Sequence, residues 1–268
     1  MTETMREADR PLGLAVVAPG GRMGAAVDAL ARADDGWHVT ARVVGPDQDG
    51  TRLADLDAAA VAATDVMIDF SHRSAVVEHA AFCAEHGVAW VLGTTGLDTA
   101  DRAAVARASR ETVVFQASNF SVGVALLADL AARAARVLGL DADVEIVESH
   151  HHHKVDAPSG TALTLAEAVA VARGQELDAV VTHGRAGEPG ARPRGEIGMH
   201  ALRMADIVGR HTVHFAWPLE GIRLHHEARD RRVFAAGALR AGRFAHGQRL
   251  AGKTGSLGMP DLLAEAER

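Results

Sequence analysis

From residue 12 the sequence alternates short apolar runs with longer amphipathic stretches. A strand with no polar side must be covered on both faces, and the stretches between successive runs are the helices that cover it. Consecutive βαβ units and a parallel sheet follow. The pattern predicts strands over 12–18, 38–44, 66–69, 89–92 and 112–115, with helices over 23–33, 53–63, 74–86 and 99–110. This is a Rossmann-like, doubly wound α/β domain.

The texture changes after Asn119. A long Ala/Leu helix over 122–138 leads into an alternating strand over 143–149, half buried and half wet. A helix after Gly160, a Gly/Pro-rich loop over 184–195 expected to be a mobile flap, and strands near 197–204, 211–215 and 221–228 complete a second, α+β domain with a mixed sheet open on one face. The tail over 231–268 reads as helical, then glycine-broken, and is expected to return to the first domain. The expected division is therefore 12–121 with 231–268 as the dinucleotide-binding domain, and 122–230 as the substrate domain.

Charge and cysteine content narrow the functions open to such a chain. Lys and Arg total 28 against 35 Asp and Glu, a net charge of −7, which disfavours a nucleic-acid partner. The single cysteine, Cys83, can form no internal disulfide and no Cys-based zinc site. The first eleven residues are polar where a signal peptide needs an apolar core, and no run approaches a membrane span. A cytoplasmic protein without a membrane partner is expected.

The first strand ends in Ala18-Pro-Gly-Gly-Arg-Met-Gly24, which opens the first helix, where backbone N–H groups can cradle a pyrophosphate. Gly21 and Gly24 fit the second and third glycines of the dinucleotide fingerprint, and Ala18 stands in place of the first. Alanine suits that turn if its φ is negative. The end of the second strand reads Val43-Val-Gly-Pro46, without the acidic residue that binds ribose hydroxyls; Asp47 or Asp49 from the loop, or Arg42 for a 2′-phosphate, are the substitutes in reach. Gly93-Thr-Thr-Gly96 and Ala117-Ser-Asn-Phe-Ser121 end the fourth and fifth strands, at the sheet edge where ligands bind.

The densest chemistry lies in Glu148-Ser-His-His-His-His-Lys-Val-Asp-Ala-Pro-Ser-Gly-Thr-Ala162. In an extended chain His150 and His152 face one way and His151 and His153 the other, so the four cannot share one metal, and no metal is expected. Acid–base work fits better: imidazole exchanges protons near neutrality, and Lys154 offers a cation or a proton. Ser159-Gly160-Thr161 presents N–H groups and a hydroxyl at a helix N-terminus, a cradle for a carboxylate. Asp156 and Pro158 are expected to shape the loop.

These residues resemble the 4-hydroxy-tetrahydrodipicolinate reductase (dihydrodipicolinate reductase) family. The 148–162 segment matches its signature, and Gly20 to Gly24, Asp69-Phe-Ser71, Gly93 to Gly96, Asn119 to Gly123, Asp206-Ile-Val-Gly-Arg-His211 and 226–240 follow in family order. The resemblance implies an NADPH- or NADH-dependent reduction of a cyclic dicarboxylate after loss of water, in lysine and diaminopimelate biosynthesis. It also implies a homotetramer joined through the second domains, with the reaction in the cleft between domains. By motif position His150 and Lys154 are the acid–base pair, and His151, Lys154, Gly160 and Thr161 hold substrate carboxylates. The cofactor residues are Ala18, Gly20, Gly21, Arg22, Met23, Gly93, Thr94, Thr95, Ala117, Asn119 and Phe120. Because the ribose clamp is missing, a non-redox lyase or dehydratase, or a reductase of a related cyclic imine, is the alternative. A non-catalytic sensor of the same ligand ranks last.

Overall fold

In the computed structural model, which describes residues 10–46 and 49–267, the chain divides into two units. One runs to Phe120 and resumes at Arg232; the other spans Ser121–Arg231.

The first unit is built on six parallel strands in the order β11-β5-β4-β3-β1-β2. They are β1 (Leu12–Val17), β2 (Trp37–Val43), β3 (Val66–Asp69), β4 (Ala89–Leu92), β5 (Val113–Gln116) and β11 (Gly255–Leu257). Every residue of β3 and β4 is buried, as a strand covered on both faces requires. Trp90, Leu92, Met67 and Ile68 are at or near zero exposure, each such side chain contributing roughly 1.5–3 kcal/mol of burial.

Helices α1 (Arg22–Arg32), α3 (Val76–His86) and α4 (Thr99–Glu111) follow their strands as expected. The helix expected over 53–63 is instead a 3₁₀ turn, Leu53–Asp55, followed by α2 (Ala58–Ala62). Asp57 causes the break, because its carboxylate accepts the Ala60 N–H at 2.7 Å and starts a new helix there. The tail forms α8 (Arg232–Leu250), β11 and α9 (Met259–Ala266), and β11 pairs with β5 at the sheet edge.

The second unit holds a mixed sheet, β10-β9-β6-β8-β7, with β6 (Asp143–His150), β7 (Val181–His183), β8 (Ile197–Arg203), β9 (Gly209–Trp217) and β10 (Glu220–Ala228). Helices α5 (Val122–Leu138) and α6 (Gly160–Ala172) share one core with the sheet residues Val144, Ile146, Val213 and Phe215. The short helix α7 (Leu177–Val180) leads into β7. The loop over 184–195 is not a free flap. Arg192 donates to the Val144 and Glu196 carbonyls at 2.8 and 2.6 Å and pairs with Glu145, while Arg185 bridges Glu145 and Glu196. Those ion pairs pin the loop to the sheet.

Candidate active site

Strand register brings four loop starts level at one edge of the first sheet. Val17 lies opposite Asp69, Asp69 opposite Leu92, and Leu92 opposite Gln116, so β1, β3, β4 and β5 end level. Ala18, Phe70, Gly93 and Ala117 therefore begin their loops in one row, spanning about 14 Å at ~4.8 Å per strand. The three sequence-assigned cofactor segments come together here in one unit.

Within that row the turn from Ala18 to Gly24, expected to cradle a pyrophosphate, is open. Helix α1 starts at Arg22 with no side chain capping its first N–H groups, and Gly20 has open space where a Cβ would stand. A Cβ at Gly24 would lie 2.1 Å from the Ala18 carbonyl oxygen, so only glycine lets α1 approach β1 this closely. Ala18 departs from expectation: its φ is +54°, in the left-handed region, where an L side chain is strained. Its carbonyl accepts the Gly21 N–H and its N–H donates to Val43, both at 2.9 Å. Arg22 is exposed and Met23 half-buried beside them.

The remaining cofactor candidates are unlike one another. Thr95 is exposed, whereas Thr94 is buried and donates its hydroxyl to the Ser71 carbonyl at 3.2 Å. Ala117 and Asn119 are half-buried. Phe120 is 1% exposed and packs edge-on to Phe70 at 5.3 Å, so neither its ring nor its backbone leaves much surface for a bound molecule. Sequence reasoning assigned no task to Asp69 and His79, a buried pair at 2.7 Å whose carboxylate also accepts the Ser71 N–H. Bonded on both sides, Asp69 fixes the loop that carries Phe70. Despite the burial that would raise it, the Asp69 carboxyl is held below the usual range by the His79 and Ser71 bonds.

At the end of β2, Arg42 is paired with Asp28 of α1 at 2.7 Å, which offsets its charge toward a 2′-phosphate. Asp47 lies outside the described residues. Val44 and Gly45 leave the end of β2 without charge.

The second group of candidates gathers on the segment from the end of β6 to the start of α6. Strand β6 stops at His150, and a turn follows, so the histidines do not alternate as an extended chain would place them. The His152 and His153 rings stand 3.9 Å apart, His151 lies 6.3 Å from His153, and the Nε2 of His151 meets the Arg231 guanidinium at 3.0 Å. Burial, then the nearby Arg231 charge, lowers the His151 pKa. Among the described residues no three His, Cys, Asp or Glu side chains form a metal-ligating group.

His150 is 9% exposed and its Nδ1 lies 2.6 Å from Glu148, which has no exposure at all. Arg203, at the end of β8, donates to both Glu148 oxygens at 2.9 Å, and the Ser159 N–H adds a fourth bond at 3.1 Å. Burial alone would raise the Glu148 carboxyl; Arg203 and His150 hold it below the usual carboxylate range. Across the sheet, Gly209 faces the imidazole, and a Cβ there would stand 3.1 Å from His150 Nε2. Lys154 is paired with Asp156 at 2.7 and 2.8 Å, so Asp156 presents the ammonium as well as shaping the loop.

Ser159 caps α6 by accepting the Ala162 N–H at 3.2 Å, which leaves Gly160 and Thr161 leading the first turn. A Cβ at Gly160 would meet nothing within 4 Å. His211, buried on β9, stands 3.2 Å from the Ser159 hydroxyl and 5.2 Å ring to ring from His150. Its pKa is pushed down to about 4, first by burial and then by the neighbouring His150. Arg203, Gly209 and His211 were not singled out by role from the sequence, although Gly209 and His211 fall inside a recognised segment. Arg203 stands 55 residues from Glu148 with no local pattern around it to mark the pair.

The family model described as "Dihydrodipicolinate reductase, N-terminus" matches residues 12–120, and "Dihydrodipicolinate reductase, C-terminus" matches 123–263. A relative from Psychrobacter arcticus, named 4-hydroxy-tetrahydrodipicolinate reductase, is 42% identical over 89% of this chain and 91% of its own. A protein of the same name from Halorhodospira halophila is 44% identical over 86% of this chain and 92% of its own. Among solved structures, a dipicolinate-bound dihydrodipicolinate reductase from Paenisporosarcina sp. TG-14 superposes with a TM-score of 0.72 over 92% of this chain and 97% of that one. At 22% identity that likeness speaks to the fold. With both halves matched and two relatives above 40% identity, the chain belongs to the dihydrodipicolinate reductase family.

Proposed function

We propose that this protein reduces the dehydrated form of 4-hydroxy-tetrahydrodipicolinate to tetrahydrodipicolinate with NADPH or NADH, within lysine and diaminopimelate biosynthesis. The observation that carries the reading is the meeting of a proton carrier, a cation and a helix N-terminus on one short segment, 150–161, in a chain whose relatives bear that reductase name.

When bound, the nicotinamide supplies a hydride to the conjugated imine. The chain's own residues have the other tasks. The row at the ends of β1, β3, β4 and β5 fits a dinucleotide: uncapped N–H groups of α1 face the pyrophosphate, and the loops with Thr95, Ala117 and Asn119 suit the nicotinamide ribose. On the second unit Lys154, His151 and the first turn of α6 at Gly160 and Thr161 hold the carboxylates of a small dianion. To do so Lys154 shares its ammonium between Asp156 and the ligand. His150, through Nε2, and Lys154 exchange protons where charge develops on the ring. The name-bearing relatives favour this redox reading over the lyase alternative.

We further propose a cytoplasmic homotetramer. Support for the assembly comes from the face of the second sheet opposite α5 and α6, where Ala216 of β9 and Arg223 and His225 of β10 are exposed. Nicotinamide absorbance followed with freshly generated 4-hydroxy-tetrahydrodipicolinate tests the activity. Turnover with either cofactor supports the proposal, and none from folded protein refutes it. Light scattering tests the tetramer.

A further inference from the structure

Glu148 has no part in the reaction as proposed, yet it is the most completely bonded carboxylate of the substrate unit. It has no exposed surface, and its two oxygens receive Arg203 twice, Ser159 N–H and the nitrogen Nδ1 of His150. We propose that Glu148 is the positioning residue of His150: it fixes the proton on Nδ1, reserves Nε2 for proton exchange, and ties the ring to the start of α6 that holds the substrate carboxylate.

An ionised carboxylate only accepts hydrogen bonds, so a ring nitrogen 2.6 Å from it must carry the proton. The other nitrogen is then the basic one, and it is the nitrogen that Gly209 leaves uncovered, with a Cβ there reaching to 3.1 Å of it. The same carboxylate receives the N–H of Ser159, the residue capping α6. One group therefore holds in register the proton carrier on β6 and the carboxylate cradle on α6. Such supporting partners set ring orientation and tautomer as tightly as the reacting residue itself.

Arg203 completes the device. A lone buried carboxylate would carry a large desolvation penalty; the bidentate guanidinium balances its charge beside His150. Among the described residues, other titratable groups around His150 include His211 from β9 and His151 and Lys154 from the turn, the latter paired with Asp156. His211 sits 5.2 Å from the ring, and its depressed pKa keeps it neutral near pH 7.

The test is ¹⁵N imidazole NMR at mildly alkaline pH, with the His150 signals assigned by their loss in His150→Gln. The parent protein is expected to show Nδ1–H with a bare Nε2. In Glu148→Gln the amide oxygen, placed where Oε1 was, still accepts from Ser159 N–H and one Arg203 nitrogen, while its NH₂ replaces Oε2, loses the second Arg203 bond and faces Nδ1, so the proton moves to Nε2. We expect kcat to fall ~100-fold or more with KM for the dicarboxylate within about threefold, by analogy with the wrong-tautomer amide variant of the serine-protease triad. A parent ring protonated on Nε2, or on both nitrogens, overturns the inference. So does a folded Glu148→Gln that keeps the parent tautomer and kcat. The parent spectrum decides the tautomer even if the variant misfolds. The kinetic arm alone rests on the reductase reading: Nδ1–H in a protein with no reductase turnover leaves the positioning role standing and refutes the function.

Discussion

Replacing Ala18 by glycine is expected to stabilise this protein. The residue turns the chain from β1 into the pyrophosphate loop at φ +54°, a conformation that costs an L residue roughly 1–2 kcal/mol. Glycine removes that strain but gives the unfolded chain more freedom, which offsets about 0.4–1 kcal/mol. The bonds that shape the turn, from Gly21 to Ala18 and from Ala18 to Val43 at 2.9 Å each, are backbone bonds and survive the change. The balance is a gain of about 0–1.6 kcal/mol, centred near ~0.8, or ~2–3 °C in Tm for a chain of this size. Reversible urea unfolding of the cofactor-free protein measures it, and NADPH affinity should stay within about threefold. The sign is decisive. If φ were negative, as an alanine in that turn would prefer, the entropic loss alone would act and Ala18→Gly would destabilise by a similar amount. A lowered Tm therefore refutes the left-handed turn.

Gly209→Ala places a methyl 3.1 Å from His150 Nε2; kcat is expected to fall ~10-fold or more, while thermal unfolding, helped by the added strand propensity, shows no loss of stability. His211 is neutral in the folded state, with a pKa of about 4 against the ordinary 6.5, so the unfolded chain binds more protons between those values. Stability is then fully present above about pH 6.5 and is lost as pH falls through about 4, by up to ~3 kcal/mol; His211→Gln should flatten denaturation midpoints over that window, and an unchanged slope would refute the assignment. With neither acid nor base at Val44 and Gly45, and Arg42 held by Asp28, NADH and NADPH are expected to give kcat/KM values within about tenfold of each other. Val44→Glu should then favour NADH, which steady-state rates with both cofactors would show.

The parts of the fold legible in the sequence are those decided by neighbours along the chain. Helix α5 occupies Val122–Leu138, the expected span, because Ser121 caps it through the Val124 N–H and Gly139 stops it at φ +60°. The short apolar runs of β3, up to its terminal Asp69, and of β4, bounded by turn residues and set between amphipathic helices, read as doubly covered strands. The crowding of imidazole, ammonium and Ser-Gly-Thr in one stretch marks the candidate site by residue type alone, since such a segment has no place in a core.

What only the tertiary structure decided involves partners distant in the chain. The three-residue strands β7 and β11 exist through pairing with β8 and β5, and three residues carry no periodicity to betray them. The turn after His150 abolished the expected alternation of the four histidines: the regular ladder with β8 ends at Arg203, and His152 is tied by its N–H and ring to the Ala205 carbonyl beyond it. Glu148 lies 55 residues from Arg203, and Gly209 faces His150 only once β9 is laid beside β6; spacing in the sequence contains neither fact. Local chemistry named which residue types would react. Long-range packing set which nitrogen is offered, which carboxylate orients it, and where glycine leaves it room.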